Sequence, residues 1–161
     1  MRFPSKKARY AFHGLVYIAA VSRGNPVPFE EVLAYLRAYS SRLTLSPGYI
    51  AKIFQDLSRI GFTEAVSGPH GGYQLARSAD EINMVQIIEA LDGPLLSECC
   101  LMNVGGCQNQ RTCGVRRVIH EAQLAQYRVF ERETLASLAT KVSLPDAATI
   151  QAYREKSKAL N

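Results

Sequence analysis

Ser46-Pro47-Gly48-Tyr49-Ile50-Ala51-Lys52-Ile53-Phe54-Gln55-Asp56-Leu57-Ser58-Arg59-Ile60-Gly61 runs directly into Phe62 to Ser67, then Gly68-Pro69-His70-Gly71-Gly72 and Tyr73 to Arg77. Serine is a preferred N-cap and proline a preferred first helical residue, so Ser46-Pro47 predicts a helix start. At about 100° per residue, Ile50, Ile53, Phe54, Leu57 and Ile60 form one apolar stripe. The opposite face carries Gly48, Lys52, Gln55 and Arg59, with Ala51 beside it. The two short runs that follow read as extended strands, and the glycine-rich stretch between them can turn and adopt positive φ. A capped helix with a polar, basic outer face followed by a hairpin is the second half of a winged helix-turn-helix.

Working outward, Ser5 to Arg23 reads as a helix with an apolar face (Tyr10, Leu15, Tyr17, Ile18, Val21), stopped by Gly24-Asn25-Pro26. Glu30 to about Ser40 continues as a second, with Val32, Leu33, Leu36 and Tyr39 at helical spacing. Ala79 to Leu91 reads as a short helix ended by Asp92-Gly93-Pro94. Singly, a polar helix face is often only solvated and a glycine-rich turn often only connects strands. Three helices and a hairpin in this order, with a basic first helix beside them, place DNA binding ahead of a generic fold. The geometric reason is that the third helix fits a major groove while the hairpin reaches an adjacent groove or the phosphates.

The chain has 161 residues, 47% apolar and 20% charged, which excludes a disordered or fibrous class. Its longest apolar stretch, Leu15 to Val21, is far short of the roughly 20 residues that cross a bilayer. Met1-Arg2-Phe3-Pro4-Ser5-Lys6-Lys7 has no apolar signal region, so the reading is a cytoplasmic, reducing location without membrane association. The net charge of +5 suits a polyanionic partner. Its distribution is uneven: residues 1–29 hold Arg2, Lys6, Lys7, Arg9 and Arg23 with no acid before Glu30, and residues 78–98 hold Asp80, Glu81, Glu89, Asp92 and Glu98 with no base. No P-loop or dinucleotide fingerprint is present, and the imidazoles are His13, His70 and His120, so an enzyme finds little support.

All four cysteines, Cys99, Cys100, Cys107 and Cys113, fall in one glycine-containing segment. Core cysteines scatter along a chain, whereas clustered thiols bind a metal or cluster or exchange disulfides. Gly105-Gly106 allows close backbone approach and amide donation to sulfur. The spacing lacks the C-x2-C knuckle of structural zinc, and adjacent Cys99 and Cys100 do not easily both point inward. Three readings stay open, in this order: an iron-sulfur cluster (2Fe-2S or 4Fe-4S), redox thiols, and zinc. Beyond the cysteines, Val115, Val118, Ala122, Ala125 and Val129 recur at alternating three- and four-residue steps on a helix from about Gly114 to Glu133. This a/d seam fits a homodimer, whose two recognition helices would read a pseudo-palindromic double-stranded operator.

Several stretches resemble the Rrf2 family of winged-helix regulators, the group of iron-sulfur-cluster, nitric-oxide and iron-responsive repressors. They are Met1-Arg2-Phe3 with Tyr10-Ala11, Leu45-Ser46-Pro47-Gly48-Tyr49-Ile50, Gly68 to Ala76, Ile87 to Pro94, and Gly105-Gly106-Cys107 to Cys113. The resemblance covers residues 1 to about 140. It implies that Cys107 and Cys113 are the second and third cluster ligands and that the first is Cys99, with Cys100 close behind. Where one branch has a fourth-ligand His this chain has Arg116, and where another has an Asp it has Arg9. His13, one turn further along the first helix, is then the candidate fourth ligand, supplied across a dimer. A Glu-Gln pair common in the family is Ala51-Lys52 here, which implies a different base preference.

The fold expected is therefore mainly α with a small β-hairpin. Its parts are a winged helix-turn-helix domain over residues 1–78, a connecting helix over 79–94, a cysteine-rich cluster-binding loop over 95–114, a long dimerisation helix over 115–140 and a C-terminal tail or short helix over 141–161. The function expected is a DNA-binding transcription regulator, a repressor, that senses redox, iron or nitric-oxide status through an iron-sulfur cluster. The alternatives are a thiol-disulfide or zinc-dependent regulator, and an electron-transfer module. Lys52, Gln55 and Tyr49 are expected at base edges and Ser46, Arg59, Lys6 and Lys7 at phosphates. Gly71 and Gly72 would let the wing approach DNA, with His70 at its tip.

Overall fold

The structure is a computed structural model of the chain and describes residues 3–40, 45–96 and 113–158. Three helices open it: α1 (Lys6–Val21), α2 (Phe29–Ser40) and α3 (Pro47–Ile60). The hairpin β1 (Thr63–Val66) and β2 (Gly72–Leu75) follows, then a 3-10 turn (Ala79–Glu81) and α4 (Met84–Asp92). The remainder is helical: α5 (Gly114–Arg132), α6 (Leu135–Ala139) and α7 (Ala147–Lys158).

Helix α1 starts at Ser5, whose Oγ accepts the Ala8 amide at 3.1 Å. Ser46 occupies the N-cap position of α3 but makes no side-chain cap, so Pro47 and the tertiary contacts set that start. The helix ends at Gly61, in the left-handed region at φ 87°, with its amide on the carbonyls of Leu57 and Ser58. Ile50, Ile53, Phe54 and Leu57 are buried as the stripe requires. Ile60, read as the last member of that stripe, is 40% exposed because the chain turns away at Gly61. The α2–α3 turn is held by Arg37, only 5% exposed, whose guanidinium donates to the Leu45 carbonyl through Nε at 3.3 Å and Nη2 at 2.9 Å.

The hairpin pairs Thr63 with Leu75 through Val66 with Gly72. Val27, from the α1–α2 connection, adds a single bridge to β2: its N–H donates to the Tyr73 carbonyl and the Tyr73 N–H donates back, both at 2.8 Å. This approach explains the paired glycines. A Cβ on Gly72 would overlap the Val27 carbonyl, and one on Gly71 would overlap the Val66 carbonyl. Both positions are thus required by the fold itself, a reason that does not involve DNA. Deeper in the core, a Cβ on Gly14 would meet Phe54 Cζ at 2.7 Å, so this glycine sets how closely α1 approaches α3.

The second half differs from the sequence expectation in two places. The helix expected over Ala79 to Leu91 is broken at buried Ile82. Asn83 caps α4 in a reciprocal capping box with Gln86 and also bridges Thr134. The long helix expected over 115–140 ends at Arg132, because Glu133 and Leu135 hydrogen-bond the backbone around Asn83 (Met84 N to Glu133 O 3.0 Å, Leu135 N to Ile82 O 2.8 Å). A new capping box, Thr134 with Ser137, then starts α6, which packs against α1 and buries Leu135 in the main core. The C-terminal segment forms α7, packed along α2.

Candidate nucleic-acid interface and cysteine segment

Tyr49, Lys52, Gln55 and Arg59 all lie exposed on the outer face of α3. At its N-terminal end Tyr49 meets Tyr10 edge to face (centroids 6.2 Å), and Lys6 Nζ lies 5.8 Å from the Tyr10 ring centroid. Lys6 and Ser46 are exposed beside this end of the helix, and exposed His70 stands at the hairpin tip. These expected contact residues are thus all at the surface, on α3, at the start of α1 and in the hairpin turn.

Asp56 was not singled out by sequence reading. It is the one acid on α3, is 7% exposed, and receives Lys7 Nζ at 2.7 Å and Arg59 Nη2 at 2.9 Å. Lys7 is thereby committed inward as an α1–α3 tie, while the Arg59 side chain remains 76% exposed. The Lys7 hydrogen bond, helped by the charges of Lys7, Arg59 and Lys52 and opposed by burial, holds the Asp56 carboxyl below the usual carboxylate range. Because the folded value is depressed, this stabilisation is complete above the unfolded carboxylate value of about 4 and is lost as pH falls through the folded one. Thermal melts of Asp56→Asn should therefore lie below wild type at neutral pH and converge with it toward acid. A gap that persists unchanged to acid pH would show that the charge contributes nothing.

A second acid ties the start of α1 to the end of α4. Asp92, the last residue of α4, accepts the Ser5 amide through Oδ2 at 2.7 Å and the Ser5 hydroxyl through Oδ1 at 2.6 Å. Just beyond it, buried Leu95 is fixed by its amide donating to Glu89 Oε1 at 3.0 Å. Cys113 sits at the N-cap position of α5, half-buried, with no side-chain cap bond. The two flanks of the cysteine segment are therefore anchored on α4 and α5, which pack through Val85, Ile88 and Leu95 against Tyr127 and Phe130. From Asp92, continuous contacts run through Ser5 at the start of α1, and from Lys7 on the same helix to Asp56 on α3.

Cys99, Cys100 and Cys107 lie outside the described residues. Among the described residues no group of three or more His, Cys, Asp or Glu side chains is placed to hold a metal. His13 is half-buried on α1, with ring centroids 5.5 Å from Tyr39 and 6.0 Å from Phe12. Burial lowers its pKa, favouring the neutral imidazole that a metal requires. Arg116, one turn into α5, is half-buried. The α5 seam is outward: Val115, Val118 and Val129 are 52%, 60% and 46% exposed, and Ala122 and Ala125 are exposed between them.

This fold and surface define a winged-helix, DNA-binding transcription regulator. The chain belongs to the Rrf2 family, described as iron-dependent transcriptional regulators, which it matches over residues 4–141. It is 27% identical over 132 residues to the transcriptional regulator NsrR of Halalkalibacterium halodurans, covering 81% of this chain and 86% of that one. It is 33% identical over 113 residues to the regulator IscR of Escherichia coli, covering 70% of this chain and 64% of IscR. Among solved structures it resembles CymR, the global cysteine regulator of B. subtilis, with a TM-score of 0.72 at 22% identity, over 89% of this chain and all of that one. These relatives are regulators of transcription, not enzymes. No described helix is long and apolar enough to cross a membrane.

Proposed function

We propose that this chain is a homodimeric repressor that binds a pseudo-palindromic operator with an affinity set by an iron-sulfur cluster on the cysteine segment. The observation that carries the reading is the anchoring of that segment: its flanks sit on α4 and α5, and Asp92 at the end of α4 grips Ser5 at the start of α1. Cys113 fits a ligand role, since its thiol caps no amide and stands at a helix N-terminus, where unpaired N–H groups favour anionic ligands. Cys107, and Cys99 or Cys100, complete the thiolate set, and His13 of the opposite subunit is the fourth ligand. The cluster, when bound, supplies a redox- and iron-sensitive crosslink. The protein's own residues do the rest: Asp92, Ser5, Lys7 and Asp56 link that segment's flank to α1 and α1 to the recognition helix.

On DNA, Lys52, Gln55 and Tyr49 reach base edges, and Lys6, Ser46 and the exposed part of Arg59 reach phosphates, with His70 at the wing tip. Lys7 is a weaker candidate for phosphate because Asp56 holds it. Lys52→Ala should cost about 1–3 kcal/mol on a preferred operator if the ammonium contacts a base. Fluorescence anisotropy on that operator and on random DNA separates the cases, since equal losses on both make Lys52 a phosphate contact. The whole reading is tested by iron and sulfide analysis and visible spectra of anaerobically purified protein. A second reading, a cluster-free thiol switch, rests on the same four cysteines. Colourless protein, free of iron, with reversible thiol loss on oxidation would favour it.

A further inference from the structure

Between α1, α2 and the C-terminal segment lies a cavity of about 340 Å³ to which the regulator reading assigns no role. Its polar groups are opposed in charge. On one side Glu31 accepts a 2.8 Å hydrogen bond from the Tyr17 hydroxyl through Oε1, with no hydrogen bond to Oε2 among the described residues. On the other, Arg154 of α7 lines the same space. Glu31 and Arg154 form no ion pair with each other. Val21, Leu144 and Ile150 supply apolar wall between them.

The Arg154 guanidinium lines this space without an ion pair among the described residues, and its fork geometry suits a carboxylate. A carboxylate lacking a cation would leave Glu31 uncompensated, and a phosphate ester would bring further negative charge against it. The volume lies at the lower end of small-molecule sites, about 300–1,000 Å³, which suits one amino acid rather than a peptide or nucleotide. Helix α7 lies beyond residue 141, where the family match ends, so the part this chain shares with the family supplies only the α1 and α2 side of this cavity.

We propose that this cavity binds a free α-amino acid with an apolar side chain, its carboxylate on Arg154, its ammonium on Glu31 and its side chain against Val21 and Ile150. Since Glu31 is on α2, whose end is clamped to the start of α3 by Arg37, occupancy would bear on the helix pair that reads DNA. The site needs neither cluster nor operator, so its test is independent of the regulator reading.

The test is isothermal titration of the full chain with L-valine, L-leucine and L-methionine, alongside 4-methylpentanoate, which lacks the ammonium, and 3-methylbutylamine, which lacks the carboxylate. At least one amino acid should bind saturably, and Arg154→Gln should weaken it at least about tenfold. Arg154→Lys should be intermediate, keeping the charge without the fork. Glu31→Gln, which retains an acceptor for Tyr17, should lose the preference for leucine over 4-methylpentanoate. Circular dichroism verifies that each variant is folded. The proposal fails if none of the three amino acids binds saturably up to about 10 mM. It also fails if folded Arg154→Gln and Glu31→Gln bind like wild type, or if wild type takes 4-methylpentanoate as well as leucine.

Discussion

Anaerobically purified protein is expected to be brown, and Cys113→Ala to be colourless, with its visible absorption, iron and acid-labile sulfide all lost. A methyl group cannot ligate iron, so the variant loses one of the thiolates that the proposed cluster needs. Cys107→Ala should behave identically. Cys99→Ala and Cys100→Ala form the discriminating pair, because adjacent residues do not easily both point at one cluster, so one variant should be colourless and the other brown. His13→Ala tests the ligand supplied across the dimer: an unchanged spectrum and an unchanged rate of cluster loss would remove His13 from the site. If Cys107→Ala and Cys113→Ala both keep the wild-type spectrum, the cluster reading is wrong.

Ala122→Glu should convert a dimer to a monomer and weaken operator binding by about a hundredfold or more, since two half-sites then no longer bind as one unit. Val115, Val118, Ala122, Ala125 and Val129 are all exposed in a single chain, while the other side of α5 is already occupied by α4 through Tyr127 and Phe130. Ala122 is the central member, so in a two-fold arrangement its substitution places two carboxylates near the axis in a desolvated seam. Sedimentation velocity measures the first effect and anisotropy on a full operator the second. A variant that remains dimeric would move the interface off this face.

The winged helix was legible because its signals are local. The stripe Ile50, Ile53, Phe54, Leu57, the proline at the first turn of α3 and the glycine-rich turn each depend on residues a few positions apart, and all three occur as expected. The basic outer face of α3 follows from the same periodicity: once the apolar stripe is buried, Lys52, Gln55 and Arg59 must face outward. Family membership was legible too, from several short motifs in order. Cys99, Cys100 and Cys107 were read as ligands from clustering and from the resemblance to the family, and they lie outside the described residues.

By itself, then, the sequence determined the mainly α winged-helix architecture, the polar outer face of α3, the outward seam of α5 and the concentration of thiols in one segment, because periodicity and clustering are properties of near neighbours along the chain. Only the tertiary structure decided what depends on distant partners. Lys7 is drawn inward by Asp56 across 49 positions, and Ser5 is tied to Asp92 across 87. Gly71 and Gly72 answer to the backbone of Val66 and Val27, and α5 stops at Arg132 because Thr134 pairs with Asn83. The opposition of Glu31 and Arg154 likewise arises only when α7 folds back on α2. Each is a pairing of charge, hydrogen bond or van der Waals surface whose two halves carry no mutual signal until the chain brings them within a few ångströms.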